Sequence, residues 1–148
     1  MISSLGSSLR PLGLGLLSFI LISCTDASEP EPTEVGASIS FVHPEDGATL
    51  EGNSVVLRLE ASGIEIVPAG TMEGGTGHHH FVVDEDLPPA GAPIPTVDGT
   101  YIHLGQAQTE YELTGLASGE HVVIAVVGDG IHIPVDPWVV DTVRFVVP

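Results

Sequence analysis

Val55-Val56-Leu57-Arg58-Leu59-Glu60-Ala61 repeats with a period of two. Val55, Leu57, Leu59 and Ala61 fall on one side of an extended chain, and Val56, Arg58 and Glu60 on the other. Successive side chains of a strand point to opposite faces, so this stretch predicts a β-strand with one face on a core. Working outward, Ser38-Ile39-Ser40-Phe41-Val42 reads as a preceding strand. Pro44-Glu45-Asp46-Gly47-Ala48 has the composition of the turn that follows it.

Downstream, His80 to Val83 and Thr100 to Leu104 are short strand candidates. Tyr111 and Leu113 alternate with Glu110, Glu112 and Thr114. His121 to Val127 is nearly all apolar, which suits a central strand covered on both faces. Val139 to Val147 closes the chain, with Val143, Phe145 and Val147 on one face and Thr142 and Arg144 on the other. About seven short valine-rich strands between glycine and proline punctuation predict an all-β fold, an immunoglobulin-like β-sandwich. Two connections are long, Ser62 to Gly77 and Glu85 to Asp98, and both flank the histidine strand. Long connections in compact domains tend to carry function.

The first 36 residues read differently. Residues 1–23 have the form of an export signal: Arg10, then the apolar run Leu12 to Ile22, too short for a comfortable membrane span. It ends in Leu21-Ile22-Ser23-Cys24, which resembles a bacterial lipobox. That resemblance implies cleavage before Cys24, lipidation of Cys24 and an anchored extracytoplasmic protein in the bacterial cell envelope. Thr25 after the cysteine leans toward the outer membrane of a Gram-negative cell. Cys24 is the sole cysteine, so no intrachain disulfide can form. Residues 24–36 are acidic and alternate with proline through Glu29-Pro30-Glu31-Pro32, the composition of a disordered linker. The domain itself spans residues 37–148.

The formal charge is −17, with only three basic residues, all arginine. Nothing in such a chain neutralises a run of phosphates, so nucleic acid is excluded as a partner. Anionic lipid surfaces repel it as well, so membrane attachment has to come from the lipid on Cys24. The acidity reads as a device for solubility and self-avoidance; the alternative is a negative field that concentrates cations near the histidines.

The chemistry-bearing residues are histidines. Gly75-Thr76-Gly77-His78-His79-His80 leads into the apolar Phe81-Val82-Val83, and His103 and His132 occur in Ile102-His103-Leu104-Gly105 and Gly130-Ile131-His132-Ile133-Pro134. Strand alternation points His78 and His80 one way and His79 the other. Loops converging at one end of a sandwich would bring His103 and His132 to them. His78, His80, His103 and His132 are therefore the candidate metal ligands, for Zn²⁺ or Cu²⁺, with Met72 in the adjacent loop as a further hint toward copper. His79, Asp129 and Asp136 are candidate supports behind the ligands, since a metal-bound imidazole usually donates its other N–H to an acceptor. Of the remaining histidines, His43 and His121 are expected on the surface. An equally weighted reading is a purely structural polar network that rigidifies loops for recognition of an envelope partner.

Asp84-Glu85-Asp86 lacks the spaced oxygen ligands of a calcium loop and reads as a charged turn. No nucleophile elbow or comparable signature accompanies the histidines, so an enzyme is not expected.

The longer set of motifs carries a resemblance. Pro68-Ala69-Gly70 to Gly77-His78-His79-His80, then His103-Leu104-Gly105, then Gly128-Asp129 to His132-Ile133-Pro134 and Asp136-Pro137 resemble an uncharacterised bacterial family of exported domains marked by a GHHH motif (domain of unknown function 4399). The resemblance covers nearly all of residues 37–148 and implies no particular activity. Members often carry another imidazole directly after the aspartate of the last motif, where this chain has Gly130.

Overall fold

The computed structural model describes residues 36–148. The expected signal, the lipidation site Cys24 and all but the last residue of the linker lie outside the described residues. Nine strands occur among them: β1 (Ser38–His43), β2 (Ala48–Thr49), β3 (Ser54–Ser62), β4 (Glu65–Ile66), β5 (Thr76–Val83), β6 (Tyr101–Leu104), β7 (Glu110–Thr114), β8 (Gly119–Gly128) and β9 (Val140–Val147). No helix is present among the described residues.

The strands form two sheets, a three-stranded one in the order β1-β3-β7 and a six-stranded one in the order β2-β9-β8-β5-β4, with β6 also paired to β5. The all-β class and the two-sheet layering agree with the sandwich expected from the alternation. β8 lies between β5 and β9, the central place its apolar run demands. The seven predicted strands are all found within a few residues of the expected bounds; β2 and β4, two residues each, are additional.

The core is what the period-two pattern dictates. Val55, Leu57, Leu59 and Leu113 of the small sheet face Phe81, Val83, Val123, Ala125, Val143, Phe145 and Val147 of the large one. Ala61, on the same side of β3, stays exposed. Phe41 and Phe81 stack across the two sheets, with centroids 5.8 Å apart and planes at 24°. The Phe41 amide donates to Asp141 Oδ2 at 2.8 Å, a polar tie between the sheets.

β5 decides where the functional groups go. It begins at Thr76, four residues before the His80 start expected from the sequence, because β4 pairs with Thr76 and Gly77 in parallel. It is fully buried along its whole length. His79, Phe81 and Val83 alternate with His78, His80 and Val82. Phe81 and Val83 belong to the inter-sheet core, whereas Val82 packs with Val126 and Ile94 in a second, smaller apolar cluster. That second cluster lies on the outer face of the six-stranded sheet, under the long β5–β6 connection that carries Ile94.

Candidate metal centre

His78 and His80 share the Val82 face of β5, so they lie under the connections and not between the sheets. Antiparallel pairing places His103 of β6 directly beside His80, and Gly128 of β8 beside His78. His132 comes from the β8–β9 connection, where its φ of 70° marks a left-handed turn residue. Asp129 shapes that turn: its Oδ1 accepts from the amides of Ile131 (3.0 Å) and Ile133 (2.9 Å), and its carbonyl accepts from the His132 amide (2.9 Å). The His132 carbonyl in turn accepts from Ile94 N at 2.7 Å, which fastens the long β5–β6 connection over the site. The β4–β5 connection is tied in by Ala69 N to Gly105 O (3.1 Å) and Gly70 N to Gly130 O (3.0 Å). Both long connections singled out in the sequence thus close on the same spot.

The result is a four-imidazole cluster. One ring nitrogen from each of His78, His80, His103 and His132 lies within 4.8 Å of all the others. His78 Nε2 and His80 Nε2 are 3.0 Å apart, and His103 Nε2 and His132 Nε2 are 3.2 Å apart. A tetrahedral ion with M–N bonds of about 2.0–2.1 Å holds its ligand nitrogens roughly 3.3–3.4 Å from one another. The observed pairs are close to that spacing.

Two glycines make the room. Residues i and i+2 share a face, so Gly105 follows His103 on the cluster side. A Cβ on Gly105 would fall 2.4 Å from His103 Cε1 and 2.7 Å from its Nε2. A Cβ on Gly128 would lie 3.1 Å from His80 Nε2 and 3.2 Å from Ile94 Cδ1. The rings therefore lean into space that only the missing side chains leave open. The sequence motifs contain both glycines without showing their role; a glycine two residues after a strand histidine is the signal that points to one.

His78, His80 and His103 are biased toward the neutral form. Burial, followed by repulsion from His103 and then His132, pushes His78 down to about 4, although the nearby Asp129 carboxylate opposes this. Burial and then His78, His103 and His132 push His80 down to about 3. His103 is lowered as well, by burial and then by His132. Neutral imidazoles keep a lone pair free for a metal at neutral pH.

The expected supports stand elsewhere. His79 turns to the opposite side of β5, where its Nδ1 donates to the Gln108 carbonyl at 3.0 Å. The Asp129 carboxylate accepts from backbone amides, and Asp136 is exposed. No hydrogen bond from any of these three to a cluster imidazole occurs among the described residues. Instead His78 Nδ1 and His80 Nδ1 are buried without a partner, as is His79 Nε2. Asp129 acts on the cluster through its field on His78 and through the turn that presents His132. Met72 is 66% exposed, with its Sδ against Gly130.

His43 is exposed, as expected. His121 corrects the sequence reading: it is 8% exposed, not a surface residue. Its Nδ1 lies 2.6 Å from Asp84 Oδ2 and its Nε2 is 2.8 Å from the Ala117 carbonyl, with the ring stacked on Phe145. A flanking carboxylate and a flanking carbonyl can both be satisfied only if both ring nitrogens carry protons, so the pair is an imidazolium–carboxylate clamp. Burial alone would lower its pKa, but the Ala117 carbonyl and the Asp84 carboxylate together raise it. A raised folded-state pKa gives stability that is complete below the unfolded value near 6.5 and is lost as pH rises through the folded value. The urea midpoint of the native chain, minus that of His121→Gln, is therefore expected to shrink as pH is raised above the ordinary imidazole range. A difference that stays flat with pH would rule out the charged clamp.

Comparison with known proteins adds a family. A search of curated proteins gave no match. Among solved structures, the crystal structure of an engineered protein aligns over 78% of this chain and 21% of its own, at 12% identity and a TM-score of 0.43. The chain thus spans about a fifth of that protein's length, and a likeness this distant carries no argument. A family model matches residues 57–148, from the middle of β3 through the histidine strand, both glycines and the His132 turn to the last residue. That span is more than half of the sequence and bears out the resemblance read from the motifs: the chain belongs to the family described as Domain of unknown function (DUF4399).

Proposed function

We propose that this domain binds a transition-metal ion, Zn²⁺ or copper, without catalysing a reaction, through His78, His80, His103 and His132. The observation that carries the reading is the convergence of four imidazoles, from three separate parts of the chain, on a volume the size of one coordination sphere. The formal charge of −17 favours cation uptake. Zn²⁺ in excess, at a free concentration about 100 times its Kd, should stabilise the fold by about 2.7 kcal/mol. For a domain of this size that raises the melting temperature by roughly 10 °C. The measurement is a melting curve of the untagged protein with and without metal, paired with calorimetry.

A second reading has its own support. The Nε2 pairs at 3.0 and 3.2 Å are hydrogen bonds in their own right, and the three connections are fastened to one another around them. On that reading the imidazoles are a scaffold, and the connections recognise a partner protein in the envelope. Identical melting with and without Zn²⁺, and no heat of binding, would favour it.

We also propose that lipid on Cys24 tethers the domain to the bacterial envelope, at the outer membrane where there is one. The support is the sequence Leu21-Ile22-Ser23-Cys24 at the end of an apolar run. Cys24→Ser is expected to move the protein from the membrane fraction to the soluble extracytoplasmic fraction, and unchanged partition would rule the tether out.

A further inference from the structure

The shape of the cluster specifies more than the presence of a metal. Six ring-centroid separations relate the four imidazoles: 4.7 Å for His78–His80, 5.0 Å for His78–His103 and for His78–His132, 5.1 Å for His80–His103, 5.5 Å for His80–His132 and 4.7 Å for His103–His132. Four points with six nearly equal separations form a tetrahedron. A square with edges of 4.7 Å would need diagonals of about 6.6 Å, and the longest separation observed is 5.5 Å. The rings are therefore arranged for a tetrahedral ion and not for the square-planar field that Cu²⁺ and Ni²⁺ prefer.

The burial is also one-sided. His78 and His80 are 0% exposed and sit on a central strand, between β8 on one side and β4 and β6 on the other. His103 and His132 are half-buried; one is on a four-residue strand whose one partner among the described strands is β5, and the other is in a turn. The first pair is a fixed floor, and the second pair is the side open to solvent.

Resting on the metal-binding reading above, we propose that the site is a coordinatively closed cage for one tetrahedral ion of the Zn²⁺ or Cu⁺ class. All four positions are filled by imidazole nitrogens, and the ion enters past His103 and His132. Catalytic zinc sites keep one position for water or substrate, whereas a closed site does not. Such a cage holds an ion, or is stabilised by it, and offers no Lewis-acid face. Removing His132 should open a position at the solvent side and turn a closed site into a three-histidine one.

Cobalt tests this because its visible bands are intense in a tetrahedral field and weak in an octahedral one. The full chain, produced without a histidine tag, is given one equivalent of Co²⁺, then azide, and uptake is followed by calorimetry. The expected result is an intense spectrum that azide leaves unchanged and that Zn²⁺ abolishes by displacement. In His132→Ala, Co²⁺ should bind more weakly, by more than the roughly 10–100-fold that loss of a supporting partner costs. Its spectrum should then shift with azide. Co²⁺ that binds the native chain with a weak spectrum, or with an azide-sensitive one, would overturn the closed cage and leave metal binding intact. No uptake of Co²⁺ or Zn²⁺ at all would overturn both. The azide result on the native chain decides the matter even if the variant does not fold.

Discussion

Gly105→Ala is expected to weaken Zn²⁺ binding by at least about 100-fold, close to 2.8 kcal/mol, while leaving the two sheets assembled. Gly105 does not sit at a positive φ, so the backbone itself accepts alanine. The obstacle is the His103 ring, with Cε1 at 2.4 Å and Nε2 at 2.7 Å from the new methyl. Real atoms do not approach that closely, so the ring must swing out. It can do so, because His103 is half-buried and lies on a short strand whose one partner among the described strands is β5. The ring that leaves is one of the four proposed ligands, so the cost appears in metal affinity and not in the core. Gly74→Ala is the control: it lies just before the histidine strand, and a methyl there would meet no heavy atom within 4 Å. Calorimetry on the two variants should separate them sharply. Equal Zn²⁺ affinity for Gly105→Ala and the native chain would mean that the metal, if bound, sits elsewhere.

The four-histidine cluster is legible in the sequence in part: strand alternation puts His78 and His80 on one face of β5 and His79 on the other, while His103 and His132 come from separate motifs. The place is less so. Convergent loops suggest a rim at one end of the sandwich, whereas the imidazoles lie on the outer face of the six-stranded sheet. That face is buried because connections fold back over it, the β5–β6 connection through Ile94 among them, in long-range contacts with no local signature. The short strand β4 escapes a sequence reading for the same reason: two residues pairing in parallel across a connection leave no periodicity to read.

The sequence misplaces His121 because a histidine beginning an apolar strand after Gly119-Glu120 looks terminal and wet. Its burial depends on Asp84, which is 37 residues away in the chain. Asp129 does belong with the histidines, but through a different contact from the one expected. An aspartate followed by two residues and then a histidine also matches a side chain that caps its own turn, and that is where its hydrogen bonds go. Asp136 has only proximity in sequence to recommend it.

The largest effect on stability is expected one residue beyond the histidine triplet. Phe81 is 0% exposed and stacks on Phe41, and across β8 it is paired with Ala125, whose small side chain leaves the space that the ring fills. Phe81→Ala should cost about 3–5 kcal/mol, from lost burial and from the cavity left between the two sheets. Domains of this kind are stable by about 5–15 kcal/mol in total, so the variant loses a large share of its margin. Without added metal its melting temperature should fall by roughly 10–20 °C. Zn²⁺ is expected to return most of the increment it gives the native chain, because binding stabilises whichever fold retains the cage, and the cage faces away from Phe81 on the same strand. Urea unfolding of Phe81→Ala and of the native chain, each with and without Zn²⁺, measures both terms together. If the metal increment vanished with the phenyl ring, the two faces of β5 would not be independent. The imidazoles would then owe their arrangement to the core beneath them more than to Gly105, Gly128 and the connections that close over the outer face.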